Sequence, residues 1–182
     1  KMNLNSDGSI SGEAISMASG HFDYRLRGIR FADQGKSKEA IAERYLGRYL
    51  EKGQGFIQNS DPENFTQLHE FKSSFDLEPL VNIPGPSALA IPVGLVVGWN
   101  KGISLRDQIQ KALYPFTCPP QMHKDQIQLR LPKGVKITRL PKDIAVESGP
   151  FRYSAFYTAE GQVIRAERTF AVNGKSVVCS PE

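Results

Sequence analysis

The sequence predicts an α+β fold that is predominantly β, with two small antiparallel β lobes of sandwich or meander type. Apolar and polar residues alternate along several short runs, Asp-Gly and Asn-Gly pairs separate such runs, and one long segment has helical spacing. A chain of 182 residues suits one domain or two small ones. We place the first lobe at 1–116, a linker at 117–121 and the second lobe at 122–182.

The first predicted element is a hairpin between residues 2 and 20. Met2 and Leu4 precede the turn sequence Ser6-Asp7-Gly8-Ser9, and the next run places small and apolar residues on one face: Ile10, Gly12, Ala14, Ser16 and Ala18. Asp-Gly favours a hairpin because both central residues of a type I′ turn need positive φ. The arginine-rich stretch that follows is predicted to be less regular.

One amphipathic helix is predicted from Lys38 to about Lys52, with Ser37 as its N-cap and Gly53 at its C-terminal left-handed position. Its apolar residues are spaced by three, four and seven: Ala40, Ile41, Tyr45, Leu46, Tyr49 and Leu50. Further on, a half-buried strand is predicted because Phe71, Phe75 and Leu77 alternate with polar residues. Residues 105–113 have the spacing of a two-turn helix.

The second lobe is predicted to consist of short strands. Ile127, Leu129 and Leu131 alternate with polar residues, Val135 and Ile137 form a second strand after Pro132-Lys133-Gly134, and Phe151 starts a third. A turn at 159–162 leads to a strand at 163–172, and Asn173-Gly174 closes a last hairpin onto 175–179.

Charge and hydropathy exclude some classes of partner. The formal net charge of the chain is +4. Its densest run of basic residues is predicted to lie along one solvated strand face: Lys133, Lys136, Arg139 and Lys142. This run has neither interleaved aromatic residues nor a recognisable module, so we expect no nucleic-acid partner. We expect no membrane insertion either, because no apolar stretch approaches the roughly 20 residues that span a bilayer.

Motifs for metals and cofactors do not emerge. His21, His69 and His123 are far apart and no Cys-x-x-Cys pair is present, so we expect no metal site. Gly53-Gln54-Gly55 follows a helix and lacks the third glycine of a dinucleotide fingerprint, so a helix stop is the better interpretation. We expect no cofactor.

The two cysteines allow several interpretations. An activated catalytic cysteine usually lies at the N-terminus of a helix, which lowers the pKa of its thiol. Pro119 and Pro120 directly after Cys118 disfavour such a helix start, and a catalytic Cys118 is therefore disfavoured. Cys118 is then a small buried hydrophobe or half of a disulfide with Cys179. That bridge would close a loop of about 60 residues and add roughly 4 kcal/mol on the chain-entropy model, if the compartment oxidises thiols.

The aromatic residue of greatest interest is Trp99, in the turn-like sequence Gly98-Trp99-Asn100-Lys101-Gly102. An exposed tryptophan there would anchor a protein partner or a sugar, whereas a tryptophan that covers a core edge is the simpler interpretation. The candidate partner contacts are Trp99 and three arginines of the early stretch, Arg25, Arg27 and Arg30.

Several sequence segments resemble a region of bacterial transglutaminase-like proteins, namely the region that follows their catalytic domain. The proteins of this family begin with a β-rich domain of unknown function. In the first lobe the similar segments are 4–14, Ser19-Gly20, the arginine stretch and Tyr45-Leu46; in the second they are 128–135, Leu140-Pro141, 149–151, Gly161 and 168–170. The family's papain-like Cys, His and Asp have no counterpart that can be placed here. The resemblance therefore carries over no catalytic residue.

This resemblance implies a non-catalytic accessory region of a bacterial periplasmic or cell-envelope protein. Lys1 is not an initiator methionine and both chain ends look like cuts, so we expect a catalytic domain before Lys1 to be the partner. The accessory region would support domain packing or position a partner or substrate. The alternative is a free-standing cell-envelope module that binds a glycan or a protein.

Overall fold

The computed structural model describes residues 1–32, 35–96, 113–117, 120–173 and 178–179. The elements in these ranges are β1 (Met2–Leu4), β2 (Ile10–Met17), α1 (His21–Ala32), α2 (Lys38–Gly47), β3 (Gly53–Asn59), β4 (Glu70–Leu77), β5 (Phe116–Thr117), β6 (Gln121–Arg130), β7 (Ile144–Ser148), β8 (Phe151–Glu160), β9 (Val163–Val172) and β10 (Val178–Cys179). The fold is α+β and predominantly β, as the sequence predicts.

The chain divides into two compact units. Unit 1 contains residues 1–98 and 129–132, and unit 2 contains 99–128 and 133–182. The end of β6 therefore belongs to unit 1 and the rest of it to unit 2. Part of the predicted linker at 117–121 lies outside the described residues, so that boundary stays a prediction.

In unit 1 the strand order is β3-β4-β2-β1, followed by the end of β6. The predicted hairpin is confirmed, with Met2 opposite Gly12 and Leu4 opposite Ile10. Its turn needs Gly8, which has φ 86°, because a Cβ there would lie 1.8 Å from the carbonyl oxygen of Val81. The β4 prediction is confirmed too, since its burial alternates along the strand.

One strand pair departs from the predicted antiparallel arrangement. β1 pairs in parallel with the end of β6, with Met2 opposite Leu129 and Asn3 opposite Arg130. Parallel neighbours need a long connection between them, and more than a hundred residues separate these two strands. Local turn signals cannot reveal such a pair.

The predicted helix begins where expected but ends early. Ser37 Oγ accepts a hydrogen bond from the N–H of Ala40 at 3.2 Å, and α2 ends at Gly47 instead of near Lys52. The left-handed residue after it is Leu50, with φ 60°, not Gly53. Gly53 instead lies in β3, where a Cβ would lie 2.1 Å from the carbonyl oxygen of Asp76.

A second helix, α1, occupies the arginine-rich stretch that was expected to be irregular. Its buried side chains include Leu26 and Arg27, so an arginine takes a core-facing position. The apolar period that would have revealed the helix is therefore interrupted.

The core of unit 1 lies between α2 and the sheet. The rings of Tyr45 and Phe71 are 6.0 Å apart. The nearly inaccessible apolar side chains of this unit are Ile10, Tyr45, Leu46, Phe71, Phe75, Leu77, Leu95 and Leu129. Together they define one face of the sheet as its core face.

In unit 2 the strand order is β6-β9-β8-β7. The predicted strands at 151 and 163–172 are confirmed as β8 and β9, which pair from Phe151 opposite Val172 to Glu160 opposite Val163. The strand expected at Val135 and Ile137 is absent from this described stretch, and β7 begins at Ile144 instead. Residues 174–177 of the expected final hairpin lie outside the described residues, and Val178 and Cys179 form β10, which pairs with β5.

Candidate functional site

The predicted site residues are distributed over several elements. Trp99 and Cys118 lie outside the described residues. Arg25 and Arg30 lie on α1, where Arg25 is exposed. The proposed partner contacts at Arg25, Arg30 and Trp99 therefore stay predictions.

The cysteine pairing also stays a prediction. β10 places Cys179 opposite Phe116 in an antiparallel ladder with β5, and β5 ends at Thr117, the residue before Cys118. The backbone of Cys179 thus runs beside the strand that leads into Cys118.

Arg27 lies inside the fold, which corrects its assignment as a partner contact. It is 4% exposed, and its guanidinium donates to the carbonyl oxygens of Pro62, Asn64 and Gln67 at 2.8–2.9 Å and to Asp23 at 2.8 Å. The five donors of a planar guanidinium suit such a divided set of acceptors. Arg27 thereby fastens the loop between β3 and β4 to α1.

The same loop is held by a buried histidine. His69 is 1% exposed, and its ring Nδ1 lies 2.9 Å from Ser60 Oγ. The backbone N–H of His69 donates to Asp23 Oδ1 at 3.1 Å. Ser60 Oγ also accepts the N–H of Glu70 at 2.9 Å, so this hydroxyl joins the His69 ring to the first residue of β4. Sequence spacing suggested no role for this pair, which closes the loop and presents no open nucleophile.

Glu51 fastens a second segment of unit 1. Its two carboxylate oxygens accept the N–H groups of Val93 and Gly94 at 2.7 and 2.9 Å. Burial raises the pKa of Glu51, and the two N–H donors oppose this effect. Ser73 Oγ donates to the carbonyl oxygen of Leu95 beside it.

One face of the unit 2 sheet carries a cluster of half-buried polar and aromatic side chains, the Asp125 cluster, made up of His123, Asp125, Phe151, Tyr153, Tyr157, Arg168 and Phe170. Alternation along β6, β8 and β9 places them on this face, and the rings of Phe151 and Phe170 stack with centroids 6.5 Å apart. The alternation of the sequence predicts that the aromatic residues of β8 share one face. It does not predict that Asp125 and Arg168 lie beside them on that face.

Burial sets the protonation chemistry of the Asp125 cluster. It raises the pKa of Asp125, against the opposing influence of Arg168, and it also raises the pKa of Tyr153. It lowers the pKa of His123. Arg168 Nε is buried without a hydrogen-bond partner in the described part of the chain. Perturbed groups of this kind occur both at ligand sites and in structural networks.

The opposite face of the same sheet is solvated and carries charge pairs. Glu167 accepts from Lys124 and Gln126 at 3.0 Å, and Arg165 pairs with Glu160 at 3.0 Å. Exposed pairs such as these contribute little stability. The two faces of the sheet are therefore chemically distinct.

The edge of the unit 2 sheet is β7, which pairs with β8 and is exposed along its whole length. Ile144 is 45% exposed and Val146 is 49% exposed, on the side of the sheet that bears the Asp125 cluster. An edge strand presents backbone N–H and C=O groups to another chain, and apolar side chains on it favour such pairing. This edge is the best candidate for a protein contact.

A shallow cleft of about 630 Å³, largely open to solvent, lies on the same unit. One wall is the segment 135–140 and the other is the β8–β9 turn. Lys136 and Arg139 line it and are exposed, so the basic run predicted on a strand face flanks a cleft instead.

The described ranges contain neither a cluster of metal ligands nor a membrane-spanning helix. No group of three or more His, Cys, Asp or Glu side chains in these ranges is arranged to hold a metal ion. None of the described helices combines the length and apolar character that a membrane crossing requires.

Comparison of the chain with protein-family models, with curated proteins and with solved structures finds no match in any of the three.

Proposed function

We propose that the chain is a non-catalytic accessory region of a bacterial transglutaminase-like protein of the papain-like cysteine protease superfamily. Its role is to pack against the catalytic domain of the same protein, in the periplasm or cell envelope, and to position a partner or substrate. The sequence phrases that resemble this family support the context. The observation that supports docking is the exposed edge strand β7.

Docking through β7 follows from the chemistry of a sheet edge. A strand that is added to an edge satisfies the backbone groups of both chains, and alternate side chains select the partner. Ile144 and Val146 offer an apolar strip beside these backbone groups. Glu147 lies on the other face of β7, where it pairs with Arg152 at 3.2 Å. The face of β7 that bears Ile144 and Val146 therefore has no charged side chain.

The first test examines the coding sequence upstream of Lys1 and the domain that it encodes. We expect a domain with a Cys-His-Asp constellation, and we expect this domain, produced separately, to bind the chain in isothermal titration calorimetry. The double variant Ile144→Lys/Val146→Lys should weaken binding at least tenfold, about 1.4 kcal/mol.

The matched control is Ile15→Lys/Met17→Lys, which changes two residues that are 59% and 61% exposed on β2. β2 lies between β4 and β1 and is not an edge. Equal losses for both double variants would reject docking through β7. An upstream sequence without such a domain would reject the family context.

A second test addresses catalysis directly. The chain should show no thiol-dependent amide hydrolysis or transamidation. Activity that disappears in Cys118→Ala would overturn the non-catalytic role.

The second candidate is a free-standing cell-envelope module that binds a glycan. The stacked rings of Phe151 and Phe170 beside Asp125 and Arg168 favour it, because sugar recognition combines aromatic faces with polar groups. A saturable change of Trp99 fluorescence with peptidoglycan fragments, without any binding to an upstream domain, would favour this role over the accessory role.

A further inference from the structure

The cleft of unit 2 combines three features that no role at β7 requires. Its volume is about 630 Å³, and it is lined by apolar and basic residues of one extended segment and by the β8–β9 turn: Val135, Lys136, Ile137, Thr138, Arg139, Leu140, Ala159, Gly161 and Gln162. None of these side chains is acidic or aromatic. A ligand therefore meets positive charge and aliphatic surface together.

The first feature is the backbone of the segment 136–140. It is continuous, described coil between β6 and β7, and it makes no hydrogen bond to another described residue. Its N–H and C=O groups are thus available along one wall of the cleft. Groups of this kind pair with an extended peptide as they would with a neighbouring strand.

The second feature is the charge. Lys136 and Arg139 line the cleft without an ion-pair partner in the described ranges, and Lys133 and Lys142 flank the segment. The nearby carboxylates are engaged elsewhere. Glu160 pairs with Arg165, and Asp143 accepts the N–H of Tyr157 at 3.0 Å.

The third feature is the apolar lining. Val135, Ile137 and Leu140 are half-buried, so their side chains present aliphatic surface between the basic groups. A nucleic acid would be expected to stack on aromatic side chains, and none lines the cleft. The combination favours a peptide with both carboxylate and aliphatic side chains.

We propose that this cleft binds an extended acidic peptide segment of a partner protein. The peptide pairs with the backbone of 136–140, its carboxylates lie against Lys136 and Arg139, and its aliphatic side chains contact Ile137 and Leu140. This site uses other residues than β7 and goes beyond the docking role proposed above.

The test uses a fluorescein-labelled peptide of four Glu-Val repeats and measures anisotropy. Saturable binding is expected, with chemical-shift changes at the amides of 136–140 in ¹⁵N-labelled protein. Lys136→Glu/Arg139→Glu should weaken binding at least tenfold, and added salt should weaken it in the wild-type chain. Absence of binding, or shift changes confined to other residues, would overturn the proposal.

The matched control is Lys38→Glu/Lys52→Glu, which makes the same change of charge at two exposed residues of unit 1. It should leave the affinity within about twofold. An equal loss in this control would show that only overall charge matters and would reject the site. Ile144→Lys/Val146→Lys should also leave the affinity unchanged, which separates this proposal from docking at β7.

Two further probes distinguish the ligand class. The same peptide with N-methyl groups on alternate residues keeps its charge but loses backbone donors, so we expect it to bind at least tenfold more weakly. Equal binding of the methylated peptide would reject strand pairing. Tighter binding of duplex DNA or of phosphatidylglycerol vesicles, lost in the same cleft variant, would reassign the cleft to that ligand.

Discussion

Asp23 and Arg27 lie one turn apart on α1 and are joined by an ion pair of 2.8 Å in which the arginine side chain is 5% exposed and the aspartate side chain 19%. Asp23 also accepts the N–H of His69, and Arg27 also holds three carbonyl oxygens of the loop before β4. The pair therefore connects a helix to a loop whose two large apolar side chains, Phe65 and Leu68, are exposed.

Replacing Arg27 should destabilise unit 1 strongly. Arg27→Met leaves the Asp23 carboxylate without its counter-charge, which costs about 3–5 kcal/mol when such a pair is buried. Arg27→Lys keeps the charge but cannot reach all the acceptors, and we expect a loss of about 2 kcal/mol. Urea unfolding followed by circular dichroism measures both values.

The control is Arg25→Met on the exposed side of the same helix, which should change stability by less than about 0.5 kcal/mol.

The stabilisation from the Asp23–Arg27 pair should depend on pH with a defined sign. The hydrogen bond from Arg27 is the main cause that lowers the pKa of Asp23 from its usual 3.8. The stabilisation is thus present above that value and is lost as the pH falls through the lower, folded-state pKa. A loss on acidification that persists in Asp23→Asn would contradict this assignment.

How far the sequence predicts the fold depends on where each element finds its partner. β8 and β9 follow from alternation and a local turn, because a half-buried sheet imposes a period of two. α1 does not follow, because Arg27 occupies a core-facing position and is compensated by carbonyl groups about 40 residues away. The parallel pairing of Met2 with Leu129 is equally invisible to local patterns.

The candidate sites divide in the same way. The basic run at Lys136 and Arg139 is evident in the sequence, but alternation at Val135 and Ile137 assigned it to a strand. β7 escapes prediction because its apolar alternation extends over only two positions, Ile144 and Val146, and both sides of the strand are exposed. The burial of Asp125 depends on neighbouring strands, which one-dimensional spacing does not contain.

Leu50 should accept glycine with a gain in stability. It has φ 60° and is 94% exposed, and it lies where α2 ends, just before the N–H of Glu51 donates to the carbonyl oxygen of Leu46 at 3.2 Å. A left-handed conformation costs a residue with a Cβ roughly 1–2 kcal/mol. Leu50→Gly should therefore raise the free energy of unfolding by about 1 kcal/mol, measured by thermal or urea denaturation.

Leu50→Ala separates conformation from side-chain exposure, since alanine keeps the Cβ. It should change stability by less than about 0.5 kcal/mol. A gain in Leu50→Ala equal to that in Leu50→Gly would assign the effect to removal of an exposed apolar side chain.

Asp125→Asn should stabilise unit 2 at neutral pH. Burial is the main cause that raises the pKa of Asp125, so the ionised carboxylate is disfavoured in the folded state despite Arg168. A group with a raised folded-state pKa contributes stability below its unfolded pKa, and this is lost as the pH rises through the folded-state value. We expect a gain of about 1 kcal/mol at pH 7 that disappears on acidification, in urea unfolding.

The comparison variant is Asp76→Asn, which alters an exposed carboxylate on β4. Its effect should stay below about 0.5 kcal/mol. A stability difference between wild type and Asp125→Asn that is the same at pH 3 and pH 7 would contradict a charge-based cause.

The carboxylate of Glu51 should control local opening of the segment that contains Val93 and Gly94. Each carboxylate oxygen accepts one N–H, at 2.7 and 2.9 Å, so Glu51→Ala removes both acceptors. The loss of about 1–2 kcal/mol of local stability corresponds to about 5- to 30-fold faster amide exchange at these two residues. Glu43→Ala, which removes an exposed carboxylate on α2, should leave their exchange unchanged. Uniform acceleration throughout unit 1 would instead show that Glu51 supports global stability, because exchange would then report complete unfolding.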